Sequence, residues 1–398
     1  MRLLFIHNRY QQEGGEDVAL DLEVRLLQQK GHIVSTLLFD NEGMDGFIKK
    51  VERGVQALYN RRSARIVERA IREFEPDLVH VHNIFFTASP SVIRVAANRG
   101  LPVVLTLHNY RLICANALLL RDNEVCNLCV QKVFPLDGIR YKCYRGSAVE
   151  TGLVTAVTGW HKLIRTWQKK VDAYITLTGF ALSRFRDSSM APVQDRLRLL
   201  PNFIFDPGPG EPPGERKDFF LFVGRLSREK GAHTLLEAFA RLPESKLVII
   251  GDGPERERME EVGRSSPNIV FAGRKGKAEV LQAMKECKAL LFPSIWYEGL
   301  PFTIIEAFAV GTPVFASAIG AMQELIRDGY NGFHFPPGDA ETLRKKISGF
   351  ERRAEANGPL YENARETWLR NYDPESHYAG LMAIYESVLI HKPSASHA

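Results

Sequence analysis

The strongest constraint on the fold is an alternation that runs through the 398-residue chain: short apolar runs, each followed by a stretch with helical spacing. Residues 2–7, 33–39, 77–81, 103–107, 174–177 and 197–200 read as strands. Between the first two, Val18, Leu22, Leu26 and Leu27 share one helical face, which Gly31 closes. Residues 206–218, DPGPGEPPGERKD, carry four prolines and three glycines and read as a linker. The alternation then restarts, with strands at 219–223, 247–250, 269–271, 289–292 and 313–316. Strands that alternate with helices build parallel sheets clothed in helices, and the chain is longer than one typical core encloses. The expected architecture is α/β with two Rossmann-like domains: 1–205, a linker at 206–218, 219–370, and a last helical segment at 371–398. In such sheets ligands lie beyond the carboxyl ends of the strands. The first residues to examine there are His7, His82, His108, Arg225, Asp252 and Ser294.

Composition is that of a globular protein, with 45% apolar and 25% charged residues. Met1-Arg2 is followed by only four apolar residues before His7, too few for a secretory h-region. The C-terminus has no lipidation box, and no apolar run approaches the roughly 18 residues of a membrane span. The expected location is the cytoplasm, with peripheral contact at the inner face of the plasma membrane. Residues 1–200 carry 28 Lys and Arg against 20 Asp and Glu, a net of +8, and the remainder a net of −3. That asymmetry fits an anionic partner for the first half; a solvated surface is the plainer reading. Two stretches concentrate the charge: Arg53, Arg61, Arg62, Arg65, Arg69 and Arg72, and Trp160, Lys162, Arg165, Trp167, Lys169 and Lys170. Basic residues mixed with Trp suit an anionic interface. No nucleic-acid motif accompanies them.

The segment SIWYEGLPFTIIEAFAVGTPVFAS, 294–317, places two acids eight apart, Glu298 and Glu306. Glu306 lies in an apolar helical run, where a carboxylate is costly to desolvate without a partner. A ligand diol supplies two donors to such a group; the plain alternative is an exposed position on an amphipathic helix. The turn Leu300-Pro301-Phe302 opens that helix with free N–H groups. Arg225 and Lys230, five apart after a strand, suit phosphate oxygens: Arg as a bidentate fork, Lys as a point charge. Gly14-Gly15 is not the G-x-G-x-x-G fingerprint, which argues against a dehydrogenase.

This segment resembles the E-x7-E signature of the family-4 retaining glycosyltransferases of GT-B fold. VGRLSREKG (223–231), IIGDGP (249–254), FAGR (271–274), DGYNGFHFPPGD (328–339) and LLPN (199–202) resemble further motifs of that family, as do GGED (14–17) and TLHN (106–109). The motifs stand in family order over almost the whole chain. The resemblance implies two domains facing across a cleft, with the acceptor on the first and the nucleotide-sugar on the second, and a last helix returning to the first domain. It places Glu306 on the ribose hydroxyls, and Glu298, Gly299, Leu300, Pro301 and Phe302 on sugar hydroxyls. Arg225 and Lys230 go to the diphosphate, where fixed cations lower the barrier to its departure. Gly14 and Gly15 approach diphosphate and sugar, and His108 a sugar hydroxyl or the anomeric region. Gly224, Gly251, Asp252 and Arg274 complete the donor set.

No Asp-x-Asp pair is present, which fits a leaving group stabilised by Arg225, Lys230 and helix N-termini without a catalytic metal. His80 and His82, two apart on one strand, share a face; a zinc pair and a supporting role are both open. Cys114, Cys126, Cys129 and Cys143 fall in a segment, 110–147, that reads as an insertion. One close C-x2-C pair leaves a structural zinc and free buried thiols as alternatives. A subset of the family resembles this chain in HNYRLIC, CxxC and CYRGS.

The expected function is therefore retaining transfer of a hexose from a nucleotide-sugar, UDP-glucose before GDP-mannose, to a polysaccharide or lipid-linked acceptor. The alternatives are a GT-B sugar-nucleotide epimerase or hydrolase, and a non-catalytic sugar-nucleotide-binding protein.

Overall fold

A computed structural model of the chain describes residues 1–9, 14–40 and 57–391. The chain forms two compact units: Met1–Arg121 with Cys126–Asn202 and His377–Ala398, and Asp122–Val125 with Phe203–Ser376.

The first unit is built on β1 (Arg2–Asn8), β2 (Ile33–Phe39), β3 (Leu78–Asn83) and β4 (Val103–Leu107). Two-residue strands β5 (Leu120–Arg121) and β6 (Glu124–Val125) follow in the chain, and the sheet of the first unit resumes with β7 (Ala173–Thr176) and β8 (Leu197–Leu199). Its sheet runs β2-β1-β3-β4-β7-β8, all parallel. Every residue of β3, β4 and β7 is buried, as expected of a parallel sheet covered on both faces. Helices begin where side chains cap them: Asn60 accepts the Arg62 and Ser63 N–H groups, and Ser147 that of Glu150. The last helix, Pro374–His391, packs Leu381, Ile384, Tyr385 and Val388 against Leu3, Phe5, Leu78 and Ile175 of this sheet.

The second unit holds β9 (Phe220–Val223), β10 (Leu247–Ile250), β11 (Ile269–Gly273), β12 (Ala289–Phe292), β13 (Val314–Ser317) and β14 (Gly332–Phe335), ordered β11-β10-β9-β12-β13-β14 and all parallel. The apolar pattern does not mark β14, a four-residue run with a histidine inside it. It is a strand because β13 pairs along its whole length. The Pro/Gly-rich stretch 206–218 lies along this unit. Gly210 N–H donates to Val310 O at 3.0 Å, and the Arg216 guanidinium donates to Thr312 Oγ1 at 2.7 Å and Cys287 O at 2.9 Å.

Each sheet reverses its strand order once, between β1 and β3 in the first and between β9 and β12 in the second. Crevices at such reversals are where open α/β sheets bind ligands.

Candidate active site

In the second unit, β9 ends at Val223 and passes into Gly224-Arg225 and a short turn at Arg228–Lys230. Gly231 closes that turn at φ 67°; a Cβ there would fall 2.0 Å from Pro293 O, so only glycine lets the turn press on the end of β12. That approach delivers Lys230 to Glu298. Lys230 Nζ donates to Glu298 Oε1 at 2.7 Å, and Ser294 Oγ (2.8 Å) and Trp296 Nε1 (2.9 Å) donate to the same oxygen. The Lys230 ammonium also lies 5.4 Å from the Trp296 ring centroid. Glu298 is buried, and three donors on one oxygen supply what its desolvation requires.

Helix Phe302–Ala309 follows, entered at Pro301 with no side-chain cap. Among the described residues the N–H groups of Gly299, Leu300, Phe302 and Thr303 have no hydrogen-bond partner, so the helix start presents open donors. Glu306 is half-buried, between fully buried Ile304, Ile305, Ala307 and Phe308. Its carboxylate makes no hydrogen bond or ion pair among the described residues. Burial raises its pKa above the ordinary 4.5, against a weak pull from Lys277.

The remaining donor-set residues differ in kind. The guanidinium groups of Arg225 and Arg274 are exposed and make no ion pair among the described residues. Gly251 sits at φ 151°, where a Cβ would lie 1.9 Å from Gly224 O; packing of two strand ends accounts for it. Asp252 is exposed, accepts the Gly253 N–H at 2.8 Å and faces Arg256 at 3.5 Å.

In the first unit, Gly14 is the N-cap of helix Gly15–Gln29. Asp17 ties that cap to the end of β1: its carboxylate accepts the Gly14 N–H at 2.8 Å and holds His7 Nε2 at 2.9 Å. Burial lowers the His7 pKa. His108, just past β4, is half-buried, with Nε2 2.9 Å from His82 Nδ1. Burial first, and His82 second, hold its pKa well below 6.5. Below it a polar cluster surrounds buried Glu23: His82 Nε2 at 3.3 Å, His377 Nε2 at 3.3 Å and His80 Nδ1 at 3.6 Å. Sequence reasoning passed over Glu23, His377 and Tyr385. Glu23 is one acid on an amphipathic helix, and the other two arrive from the far end of the chain.

Glu23, His80 and His82 are the one group of metal-type donors that converges within 4.8 Å among the described residues. They do not fit a cation cage, because His80 already uses Nδ1 on Tyr385 Oη (2.7 Å) and Nε2 on Thr106 Oγ1 (2.8 Å). The thiols of Cys114, Cys126, Cys129 and Cys143 are not among the groups that converge within that distance among the described residues. Cys114 Sγ donates to Asn116 Oδ1 at 2.9 Å, and burial pushes the Cys129 thiol up to about 11.

The basic stretches also divide. Arg61, Arg62, Arg65, Arg69 and Arg72 are exposed on helix Arg61–Phe74, while Arg53 lies outside the described residues. Lys162 and Trp167 are buried and belong to no surface patch; Lys162 donates to Ser189 Oγ at 2.8 Å, and burial lowers its pKa to about 8. Trp160 and Leu163 are exposed beside Arg165 and Lys169.

Two parallel α/β sheets of this order, the second carrying a lysine–glutamate pair beside an open helix start, define a glycosyltransferase of GT-B fold. Residues 24–202 match the family described as glycosyl transferase 4-like domain, and residues 209–367 match glycosyl transferases group 1. Between them these matches take in most of the chain, which is a glycosyltransferase of the family-4 type. It is 26% identical over 335 residues to TuaC of Bacillus subtilis, a protein named for teichuronic acid biosynthesis, covering 83% of this chain and 76% of that one. It is 26% identical over 317 residues to the sulfoquinovosyl transferase SQD2 of Arabidopsis thaliana, covering 76% of this chain and 55% of that one. The chain thus spans about half the length of the second relative. The Anabaena protein HepE, solved with UDP and glucose, superposes with a TM-score of 0.67 at 16% identity, over 97% of this chain and all of that one. No helix among the described residues is long and apolar enough to cross a membrane.

Proposed function

We propose that the chain transfers a hexose, with retention at the anomeric carbon and without a catalytic metal, from a nucleotide-sugar to a polysaccharide or lipid-linked acceptor. The observation that carries this reading is Glu306, a carboxylate without a hydrogen-bond partner in an apolar helix, eight residues after an acid that is fully engaged. A ribose diol meets its need for donors. Lys230, Arg225 and the open N–H groups of Gly299, Leu300, Phe302 and Thr303 take the diphosphate and sugar. As the glycosidic bond breaks, negative charge collects on the diphosphate, and fixed cations stabilise it without reorganising. Glu298 is held by three donors and Glu306 is assigned to the nucleoside, so neither serves as a carboxylate nucleophile. Same-face attack, with the departing diphosphate taking the acceptor proton, is the step this favours. His108 is assigned to a hydroxyl of one of the substrates.

UDP-glucose is the first choice of donor, consistent with the HepE complexes, and GDP-mannose the second. Exposed Trp160 and Leu163 beside Arg165 and Lys169 support contact with an anionic membrane face, where a lipid-linked acceptor would reside. Vesicles rich in anionic lipid, and not neutral ones, should then retain the protein, and Trp160→Ala should release it.

The test is a panel of nucleotide-sugars screened by thermal shift, followed by incubation of the stabilising donor with and without glycan and lipid-linked acceptor fractions. Sugar incorporated into acceptor supports the proposal. Equal donor breakdown in both arms identifies a hydrolase or epimerase, and no stabilisation by any donor removes the nucleotide-sugar reading.

A further inference from the structure

Three donors converge on one oxygen of Glu298, and they differ in what they can fix. Lysine and tryptophan only donate, so Oε1 is the acceptor for the Lys230 ammonium at 2.7 Å and the Trp296 indole at 2.9 Å. The ammonium rides on a flexible four-carbon stem, and the Ser294 hydroxyl, 2.8 Å away, turns about its own bond. The indole N–H has a direction set by its ring. Backbone bonds hold the loop that carries it. The Glu298 N–H donates to Trp296 O at 3.1 Å, and the Ile295 N–H donates to Glu229 O at 3.0 Å, which ties the loop to the turn bearing Lys230. The ring also borders the Lys230 ammonium, 5.4 Å from the ring centroid, so one side chain touches both members of the pair. The second oxygen of the acid is in a different position. Glu298 Oε2 makes no hydrogen bond among the described residues, yet it is not sealed from solvent.

We propose that Trp296 is a positioning residue for the donor sugar: its indole N–H fixes the Glu298 carboxylate through Oε1 and leaves Oε2 as the acceptor for one sugar hydroxyl. The consequence is a substrate class. A carboxylate oxygen only accepts, so it binds a sugar that presents a hydroxyl to it. A sugar deoxygenated at that position leaves a buried acceptor unpaired, and sites built on such a bond reject the analogue that lacks it. A uronic acid carboxylate placed there meets like charge. This inference rests on the assignment of Glu298 to the sugar; the bonds that orient the carboxylate are independent of it.

The experiment is titration calorimetry on the full chain with UDP, with UDP-glucose and with each singly deoxygenated UDP-glucose. If the thermal-shift panel selects another nucleotide-sugar, that donor, its deoxy analogues and its nucleoside diphosphate take their places. In the parent chain one deoxy analogue should bind roughly 10-fold more weakly than the full sugar, the loss of one hydrogen bond to a charged group. Trp296→Phe keeps a ring beside Lys230 and removes the N–H. It should weaken UDP-glucose roughly 10-fold, leave UDP within about 2-fold, and shrink the discrimination against that one analogue only. Trp296→His, which restores a ring N–H, should recover part of the loss. Equal losses on UDP and UDP-glucose in Trp296→Phe, or no loss on either, overturn the proposal. So does a parent chain that binds every deoxy analogue as tightly as the full sugar, a result that needs neither variant to fold. Those outcomes leave the nucleotide-sugar reading standing, whereas a parent chain that binds no nucleotide-sugar ends both.

Discussion

Lys230 Nζ donates to Glu298 Oε1 at 2.7 Å, so the cation expected on a diphosphate and the acid expected on a sugar are one coupled pair. Neither residue can be altered without changing the other's surroundings. Lys230→Ala should lower kcat by about 10²–10³, the usual cost of removing one donor to developing charge, and weaken uridine nucleotide binding much less. Equal losses in kcat and affinity would sink the charge-stabilising role. A double-mutant cycle on Lys230→Met and Glu298→Gln, followed by urea melts, should show coupling of about 1 kcal/mol.

Glu306 behaves in the opposite sense. Burial raises its pKa in the folded chain, so ionising it costs stability, and that cost is complete above the raised pKa. Glu306→Gln should therefore raise Tm at pH 7.5 and leave it nearly unchanged at pH 4, while weakening nucleoside affinity by about 1–3 kcal/mol through the lost charge-assisted bonds. A lower Tm at pH 7.5 would show that the carboxylate has a structural partner.

Two glycines in the proposed donor set separate packing from ligand approach. At Gly251 an added Cβ meets Gly224 O at 1.9 Å and the backbone is at φ 151°, so Gly251→Ala should destabilise the second unit itself. At Gly14 the nearest atom among the described residues is Asp17 Oδ2 at 3.8 Å, so Gly14→Ala should fold normally. If Gly14→Ala loses transfer at unchanged Tm, the glycine serves a ligand; full activity would remove it from the site.

Acid should begin to destabilise the first unit below pH 6.5, before the carboxylate range is reached. Burial holds the pKa of His161 at about 4 and that of His80 at about 3, so the unfolded chain binds more protons than the folded one below pH 6.5. Stability is then fully present above 6.5 and falls as pH drops toward those values. His161 by itself accounts for on the order of 3 kcal/mol by pH 4, at about 1.36 kcal/mol per pKa unit. Glu23 extends the loss below 4.5, where the unfolded chain's carboxyl protonates while the folded one, held well below that value, stays charged. Urea melts from pH 8 to 4 should follow this slope, and a flat profile would refute it.

Tyr385→Phe should cost about 1–3 kcal/mol, because it leaves His80 Nδ1 buried without its 2.7 Å partner. Chemical denaturation of the full chain measures this directly, and a change within error would show that the hydroxyl is dispensable.

How much was written in the sequence follows from which forces act locally. Eleven of the twelve strands in the two six-stranded sheets overlap runs read from the sequence, because parallel strands buried on both faces are mostly apolar, with His80 and His82 inside β3 the exception. The twelfth, β14, has no such run, since pairing with β13 defines it. Glu298, Arg225 and Lys230 stood out as candidates because glycine, proline and charge gather just after strands, and Glu306 because it is an acid inside an apolar helix. What tertiary structure alone decided is which charges meet. Lys230 reaches Glu298 across 68 residues, and Glu23 gathers His80, His82 and His377, the last from the far end of the chain. Hydrophobic period is a property of neighbours along a chain. The balance of a buried charge depends on neighbours in space, and no spacing in the sequence records them.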